Sequence, residues 1–405
     1  MILPPALKSR NYVLFYLGQG ISVIGTWLQM TAISWLVYRL TNSPVILAFV
    51  SIANHIPSLL LSPIAGVVAD KYPRKIMLFL SESCLMLAAF VLYLLVITNN
   101  ASIPLILLVS SFCGIINAFE MTFRWTFLGD ITASKKDVPN AIALNSTLFN
   151  GARLIGPSVA GAIIYKSGEA SCFLLNGLSY IAILIALFFI KPDKLFVKIE
   201  NRQNIFHSLK EGIIYVRNHK IISALLGNLV LVSLFGSSYA MLMPVFAKEM
   251  YHGNSKTYGL MMSAVGFGTF VAAVYLALRR KIYGLENIIT IGVVFISSGL
   301  IIFPIIHEFN LSLVVLFIIG LGTMFTITSS NTLIQTLADD DKRGRVMGLY
   351  SVALAGLIPV GNLIAGAMAG KIGASMTIIV SGVACISCIF LTVTKIVPDK
   401  LKFSG

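Results

Sequence analysis

Charge is what this 405-residue sequence has least of: Asp, Glu, Lys and Arg together make up 11% of it, against about 25% in an ordinary soluble domain. That scarcity excludes a water-soluble enzyme or binding domain. Acid is scarcer than base, with 16 Asp and Glu against 30 Lys and Arg, so the formal charge is +14. Cysteine is down to five, and Cys84, Cys113, Cys172, Cys385 and Cys388 all stand in or at the edges of apolar runs, which argues against a disulfide framework. Cys385 and Cys388 form a CxxC, but no further ligands accompany them, so they read as packing residues rather than a zinc or redox site. The sequence also lacks a GxxxxGK[ST] loop, a metal-ligand cluster and a nucleophile constellation. An enzyme or an ATP-driven machine is therefore not expected, and neither is a cofactor or a metal.

Apolar residues fill the space that charge leaves: they are 57% of the chain, and the mean hydropathy is +0.89. A membrane-spanning helix needs about 20 predominantly apolar residues. Twelve such stretches begin near Tyr12, Val45, Ile76, Ile103, Val138, Ser171, Ile221, Tyr258, Glu286, Leu311, Arg345 and Ser375. The fold class expected is an all-α integral membrane protein with twelve transmembrane helices in two pseudo-symmetric six-helix bundles. Met1 to Asn11 show no cleavable signal pattern, so the first span is expected to act as its own insertion signal.

With Met1 placed in the cytoplasm, Arg39, Lys166, Lys248, Lys256 and Lys371 fall outside and Arg124 and Arg153 fall within spans, while the other 23 of the 30 basic residues fall inside. This asymmetry follows the positive-inside rule with both termini cytoplasmic. The basic surplus is thus read as facing anionic membrane lipids, not nucleic acid. The expected division is residues 1–190 as one bundle, 191–220 as a cytoplasmic linker and 221–405 as the second bundle. Within the linker, Ile205, Leu209, Ile213 and Val216 recur at helical spacing, which predicts an amphipathic surface helix.

An internal repeat relates the halves. GARLIGPSVAG from Gly151 returns 205 residues later as GLIPVGNLIAG from Gly356, and the pairs Gly151/Gly356, Gly156/Gly361, Gly161/Gly366 and Gly168/Gly373 keep one frame. Small residues at such spacing let membrane helices approach closely.

Between the second and third spans runs GVVADKYPRK, with Gly66, Asp70, Lys71, Arg74 and Lys75. It resembles the signature loop of the major facilitator superfamily, with Pro73 in place of its last glycine. The matching place in the second half, LALRRKIYG, keeps the bases and lacks the acid. Gly151, Gly156, Pro157 and Gly161 resemble the GxxxGPxxGG motif that this superfamily's antiporters carry, except that Ala162 replaces the final glycine. The segments FEMTFRWTF (Phe119 to Phe127), NAIALNSTLFNGARLIGP (Asn140 to Pro157), MPVFAKE (Met243 to Glu249), SSNTLIQTL (Ser329 to Leu337) and RGRVMGLYS (Arg343 to Ser351) are similar to the bacterial branch that includes the enterobactin exporter and macrolide efflux proteins. The resemblance implies a single-chain, monomeric exporter of the bacterial cytoplasmic (inner) membrane, driven by the proton gradient, in which two bundles rock about a central cavity.

Ionisable residues inside a membrane are functional candidates by default. Glu120 and Arg124 share a helix face, and Arg153 lies mid-span in the next stretch. Glu120 is the candidate proton-coupling carboxylate, pairing with Arg124 or Arg153; a permanent ion pair between the two spans is the alternative. The resemblance further implies a conformational latch in which Asp130 reaches Arg74 and Asp70 faces the start of the eleventh span near Val346. His55 is read as a packing histidine, although its ordinary titration range would also suit a proton gradient.

Polar stripes mark the first span at Gln19, Ser22, Thr26 and Gln29, and the tenth at Thr328, Asn331 and Gln335. Since the first, fourth, seventh and tenth spans line the cavity in the superfamily, these residues with Ser233 and Ser237 are candidate contacts for an amphiphilic small molecule. Helix-helix packing is the competing account. The leading cargo classes are a siderophore and a hydrophobic drug; a lysophospholipid transporter and a non-transporting membrane sensor or scaffold remain as alternatives.

Overall fold

In a bilayer every backbone N–H and C=O must be satisfied within the protein, so an apolar stretch long enough to cross becomes a helix. The computed structural model describes residues 4–69, 71–191, 205–279, 283–339 and 342–392. The helices are α1 (Arg10–Thr41), α2 (Pro44–Ala69), α3 (Arg74–Ile97), α4 (Ile103–Ile131), α5 (Val138–Phe189), α6 (Ile205–Asn218), α7 (Lys220–Met250), α8 (Ser255–Leu278), α9 (Leu285–Ile305), α10 (Phe309–Leu337), α11 (Arg343–Ile372) and α12 (Ala374–Leu391). All but α6 are long and apolar enough to cross a membrane. The 52-residue α5 turns at Gly168, where φ is 78° and ψ 172°, so it crosses twice. Among the described residues there are thus twelve crossings, beginning close to the expected positions.

Local chemistry sets the helix ends. The Ser9 hydroxyl accepts the Tyr12 N–H at the start of α1, and Asn42, in the left-handed region at φ 48°, returns its N–H to Tyr38 O at 2.8 Å. At the start of α10 the Glu308 carboxylate accepts the N–H groups of Asn310 and Leu311.

Contacts divide the chain into two compact units. The first comprises Met1–Asn42, Phe49–Glu200 and Gly253–Ser263; the second comprises Ser43–Ala48, Asn201–His252 and Ala264–Gly405. In the first, both α1 and α3 pack along α5, and α3 also packs on α4. In the second, α9 packs on α10 and α12. The linker helix α6 belongs to the second unit, where Glu211 pairs with Arg345 of α11 at 2.5 Å and the Tyr215 hydroxyl accepts the Asp339 N–H.

The glycine repeat is a structural repeat. Gly156 backs onto Trp27 of α1, and its counterpart Gly361 backs onto Leu234 of α7. Gly161 meets Ser255 and Gly259 at the head of α8, and Gly366 meets Pro44 and Ala48 at the head of α2. Gly168 and Gly373 turn the chain with φ of 78° and 83°, a conformation essentially closed to other residues. The repeat breaks in one respect: Val232–Gly236 of α7 and Val352–Gly356 of α11 are π-helical turns, whereas α1 and α5 run through the corresponding positions as regular α-helix.

Candidate functional site

The first unit buries the charges. On α4, Arg124 Nη1 stands 3.1 Å from Glu120 Oε1, with the two side chains only 11% and 8% exposed. The Arg124 guanidinium also lies over the Phe149 ring of α5, 4.5 Å from its centroid. Glu82 of α3, 1% exposed, is within electrostatic reach of both Glu120 and Arg124. Tyr180, on the second limb of α5, is within reach of both carboxylates and shares a cavity wall with Thr26 of α1. Arg153, on the first limb of α5, places its guanidinium 5.6 Å from the Trp27 ring centroid.

A cavity of ≈ 70 Å³ opens beside this cluster, its wall including Thr26, Gln29, Asn54, Leu85, Asn117 and Tyr180. Leu85 lies one helical turn beyond Glu82 on α3. Thr26 and Gln29 of the first polar stripe are thus brought together at one cavity, where Gln29 Oε1 accepts a bond from Asn176 Nδ2 at 2.8 Å. Gln19 and Ser22 are buried in the same helix, and Ser22 O accepts the Thr26 hydroxyl at 3.0 Å.

In the second unit the candidates take other partners. The Ser233 hydroxyl donates to Leu354 O at 3.0 Å, which ties the two π turns together, and the Ser237 hydroxyl donates to Val232 O within α7. On α10, Thr328 donates to the Met324 sulfur, Gln335 donates to Asn331, and the Ile327 carbonyl accepts the Tyr350 hydroxyl. His55 bonds Ser51 O of its own helix.

At the signature loop, Arg74 Nη1 donates to both Asp130 oxygens, at 2.8 and 3.0 Å. Lys75 reaches the Ile190 carbonyl at 2.7 Å, capping the end of α5. Lys71 is exposed, Gly66 lies half-buried on α2, and Asp70 falls outside the described residues. In the helix 5 motif, Gly156, Pro157 and Gly161 line close approaches, whereas Gly151 has no neighbour within 4 Å of the point where a side chain would begin.

Glu82 and Glu169, both buried, escape a reading by motif. Glu82 is the single acidic residue of α3, a signal available in LSESC but one that belongs to no pattern. Glu169, just past the Gly168 turn, pairs with Arg39 at 2.7 Å.

A family model described as transmembrane secretion effector matches residues 5–402. The staphyloferrin A transporter of Staphylococcus aureus is 26% identical over 96% of this chain and 98% of its own. Macrolide efflux protein A of Streptococcus pyogenes is 20% identical over 98% of each. Among solved structures, an inward-facing bacterial homologue of the human lysosomal transporter Spinster aligns with a TM-score of 0.69 at 14% identity, covering 97% of both chains. The nucleoside transporter NupG gives 0.69 at 14% identity over 96% of this chain and 100% of its own; at such identity these two likenesses speak to the fold. Twelve apolar crossings in two repeat-related halves and a family match over nearly the whole length lead to one conclusion: the chain belongs to the transmembrane secretion effector family of major facilitator transporters and is a multi-pass membrane transporter, not an enzyme.

Proposed function

We propose that this transporter is a proton-coupled exporter of an amphiphilic small molecule, a siderophore or a hydrophobic drug, working as a monomer in the bacterial inner membrane with both termini cytoplasmic. The observation that carries this reading is the Glu120–Arg124 pair, buried mid-span in an apolar bundle. A buried ion pair is weak as a stabilising device, since desolvation offsets most of its attraction, and inside a membrane such groups mark ion pathways. When ionised, Glu120 holds Arg124; when protonated, it releases the guanidinium, and the bundle that contains it repacks. The proton gradient supplies the energy, with no cofactor.

The substrate class is supported by the names of the relatives, a siderophore transporter and a macrolide efflux protein. The mixed wall of the first-unit cavity, where Gln29 and Asn54 stand beside Leu85 and Val109, fits a cargo with polar and apolar parts. The two halves, 1–190 and 221–405, alternate access across the linker 191–220, and the Arg74–Asp130 contact serves as a latch that opening must break.

The test is accumulation of siderophores, macrolides, dyes and lysophospholipids in inside-out vesicles, with and without a proton gradient. Gradient-driven uptake of a siderophore or macrolide that Glu120→Gln abolishes is the expected result. Uptake indifferent to both the gradient and the substitution would overturn proton coupling, and selective uptake of lysophospholipid would overturn the substrate class.

A further inference from the structure

We infer that Glu82 and Glu120 form one proton-binding site, a carboxylate pair that holds a single proton opposite Arg124. This deepens the proton-coupled reading and rests on it, adding a second residue from a different helix to the site.

Three observations meet here. Glu82 and Glu120 are 1% and 6% exposed. Oε1 of Glu82 has no hydrogen-bond partner, and Oε1 of Glu120 faces Arg124 at 3.1 Å without a well-formed hydrogen bond. The charges that act on Glu82 are those of Glu120 and Arg124.

The helices packed on α3 are α4 and α5. From α4 the groups in reach of the pair are Arg124 and, through Tyr180, Cys113, while Asp130 is engaged by Arg74; from α5 Tyr180 is in reach of both carboxylates, Arg153 rests on Trp27, Glu169 is engaged by Arg39, and Tyr165, Lys166 and Cys172 do not act on Glu82. With both glutamates ionised, two negative charges would face the Arg124 charge in a low-dielectric interior, where surplus charge is costly. One proton on the pair makes the trio neutral. The proton can sit on either carboxylate, because the other is then matched by the Arg124 charge.

The site has a way to exchange that proton. Tyr180 and Leu85 both line the ≈ 70 Å³ cavity, several times the roughly 10–15 Å³ one water needs. Loading is a transfer of H⁺ from solvent to a carboxylate oxygen, forming one O–H bond and leaving the solvent molecule one proton poorer; unloading reverses it, and no electrons move. Cargo in the cavity would press on Tyr180 and so be felt by the pair, giving the coupling between proton and substrate a physical contact.

The experiment is infrared difference spectroscopy of the purified full chain during a pH titration, reading the C=O stretch of a protonated carboxylic acid and its shift in D₂O. Wild type is expected to show one buried acid band, lost in Glu82→Gln and lost equally in Glu120→Gln, since either survivor then ionises against Arg124. Glu82→Asp should keep the band and move its titration midpoint, which a purely structural Glu82 would not do and which covers the case of a poorly folding Gln variant. A band unchanged in Glu82→Gln, or retained at full amplitude in Glu120→Gln, overturns the shared site. The exporter reading fails separately, through the vesicle assay: an intact shared band with no gradient-driven uptake removes transport coupling and leaves the pair, while gradient-driven uptake with a band lost in Glu120→Gln alone does the reverse.

Discussion

The two halves of this transporter share a glycine frame and differ in what they bury. In the first unit, α3 and α4 place Glu82, Glu120 and Arg124 mid-span, and α1 and α5 run through as regular helix up to Gly168. In the second, the described parts of α9, α10 and α12 carry no charged residue away from their ends, and apart from Glu286 at the start of α9 the buried polar groups are amides and hydroxyls such as Asn228, Ser233, Thr326 and Ser330. There α7 and α11 instead interrupt their hydrogen-bond ladders with π turns, a feature common at functional sites. Duplication therefore preserved the close approaches that set helix packing, while the buried mid-span charges stand in one copy and the π turns in the other.

The sharpest way to break this comparison is to remove the one cation of the buried cluster. Arg124→Leu leaves two carboxylates without their guanidinium, and stripping one partner from a buried pair costs about 3–5 kcal/mol. We expect a large drop in thermal stability of the purified protein, partly recovered by adding Glu82→Gln. In α10, at the repeat counterpart of Arg124 205 residues on, stands Ser329, 1% exposed and with no partner for its hydroxyl, so Ser329→Ala should leave stability within error. Equal effects at both places would mean that the halves do not divide the charge chemistry.

The shared frame can be tested by paired substitutions. A side chain at Gly161 collides with the Ser255 carbonyl, and one at Gly366 with Ala48 and the Pro44 carbonyl. Gly161→Val and Gly366→Val should each cost about 1–3 kcal/mol through overpacking, read as matched falls in melting temperature, while Gly151→Ala, in open space, should change nothing. Gly168→Ala and Gly373→Ala test the frame differently. Each forces an L-residue to φ near 80°, a strain of about 1–3 kcal/mol, and denaturation midpoints should fall by similar amounts. A loss confined to one member of either pair would show that the repeat survives in sequence without equal structural weight.

Much of this was legible in the sequence because it depends on local rules. Twelve crossings follow from runs of apolar residues, and the reversal at Gly168 from a glycine that recurs in frame at Gly373. The Glu120–Arg124 contact follows from helical spacing, and the meeting of Arg74 with Asp130 from the signature loop. Glu82 was not legible, because its role depends on which face α3 turns toward α4 and α5, and long apolar helices carry little periodic signal for that rotation. Ser233 shows the same limit from the other side. Read as one of a row of cavity-lining hydroxyls, it also bonds a carbonyl of α11, and only the folded unit reveals that this carbonyl, in a π turn, is in reach. The Glu211–Arg345 pair, between α6 and α11, is equally a tertiary fact.

The smallest expected effect lies at that serine and decides between its two roles. The Ser233 hydroxyl bonds Leu354 O at 3.0 Å and is fully buried. Hydrogen bonds between membrane helices contribute about 0.6 kcal/mol on average and at most about 1.7, so Ser233→Ala should lower stability by about that much and leave cargo affinity unchanged. If Ser233→Ala weakens cargo binding several-fold with an unaltered melting curve, the hydroxyl serves the substrate and not the π turns. The irregularity of α7 and α11 would then lose the bond that ties it together, and the contrast between a charged half and an irregular half would rest on the buried carboxylates alone.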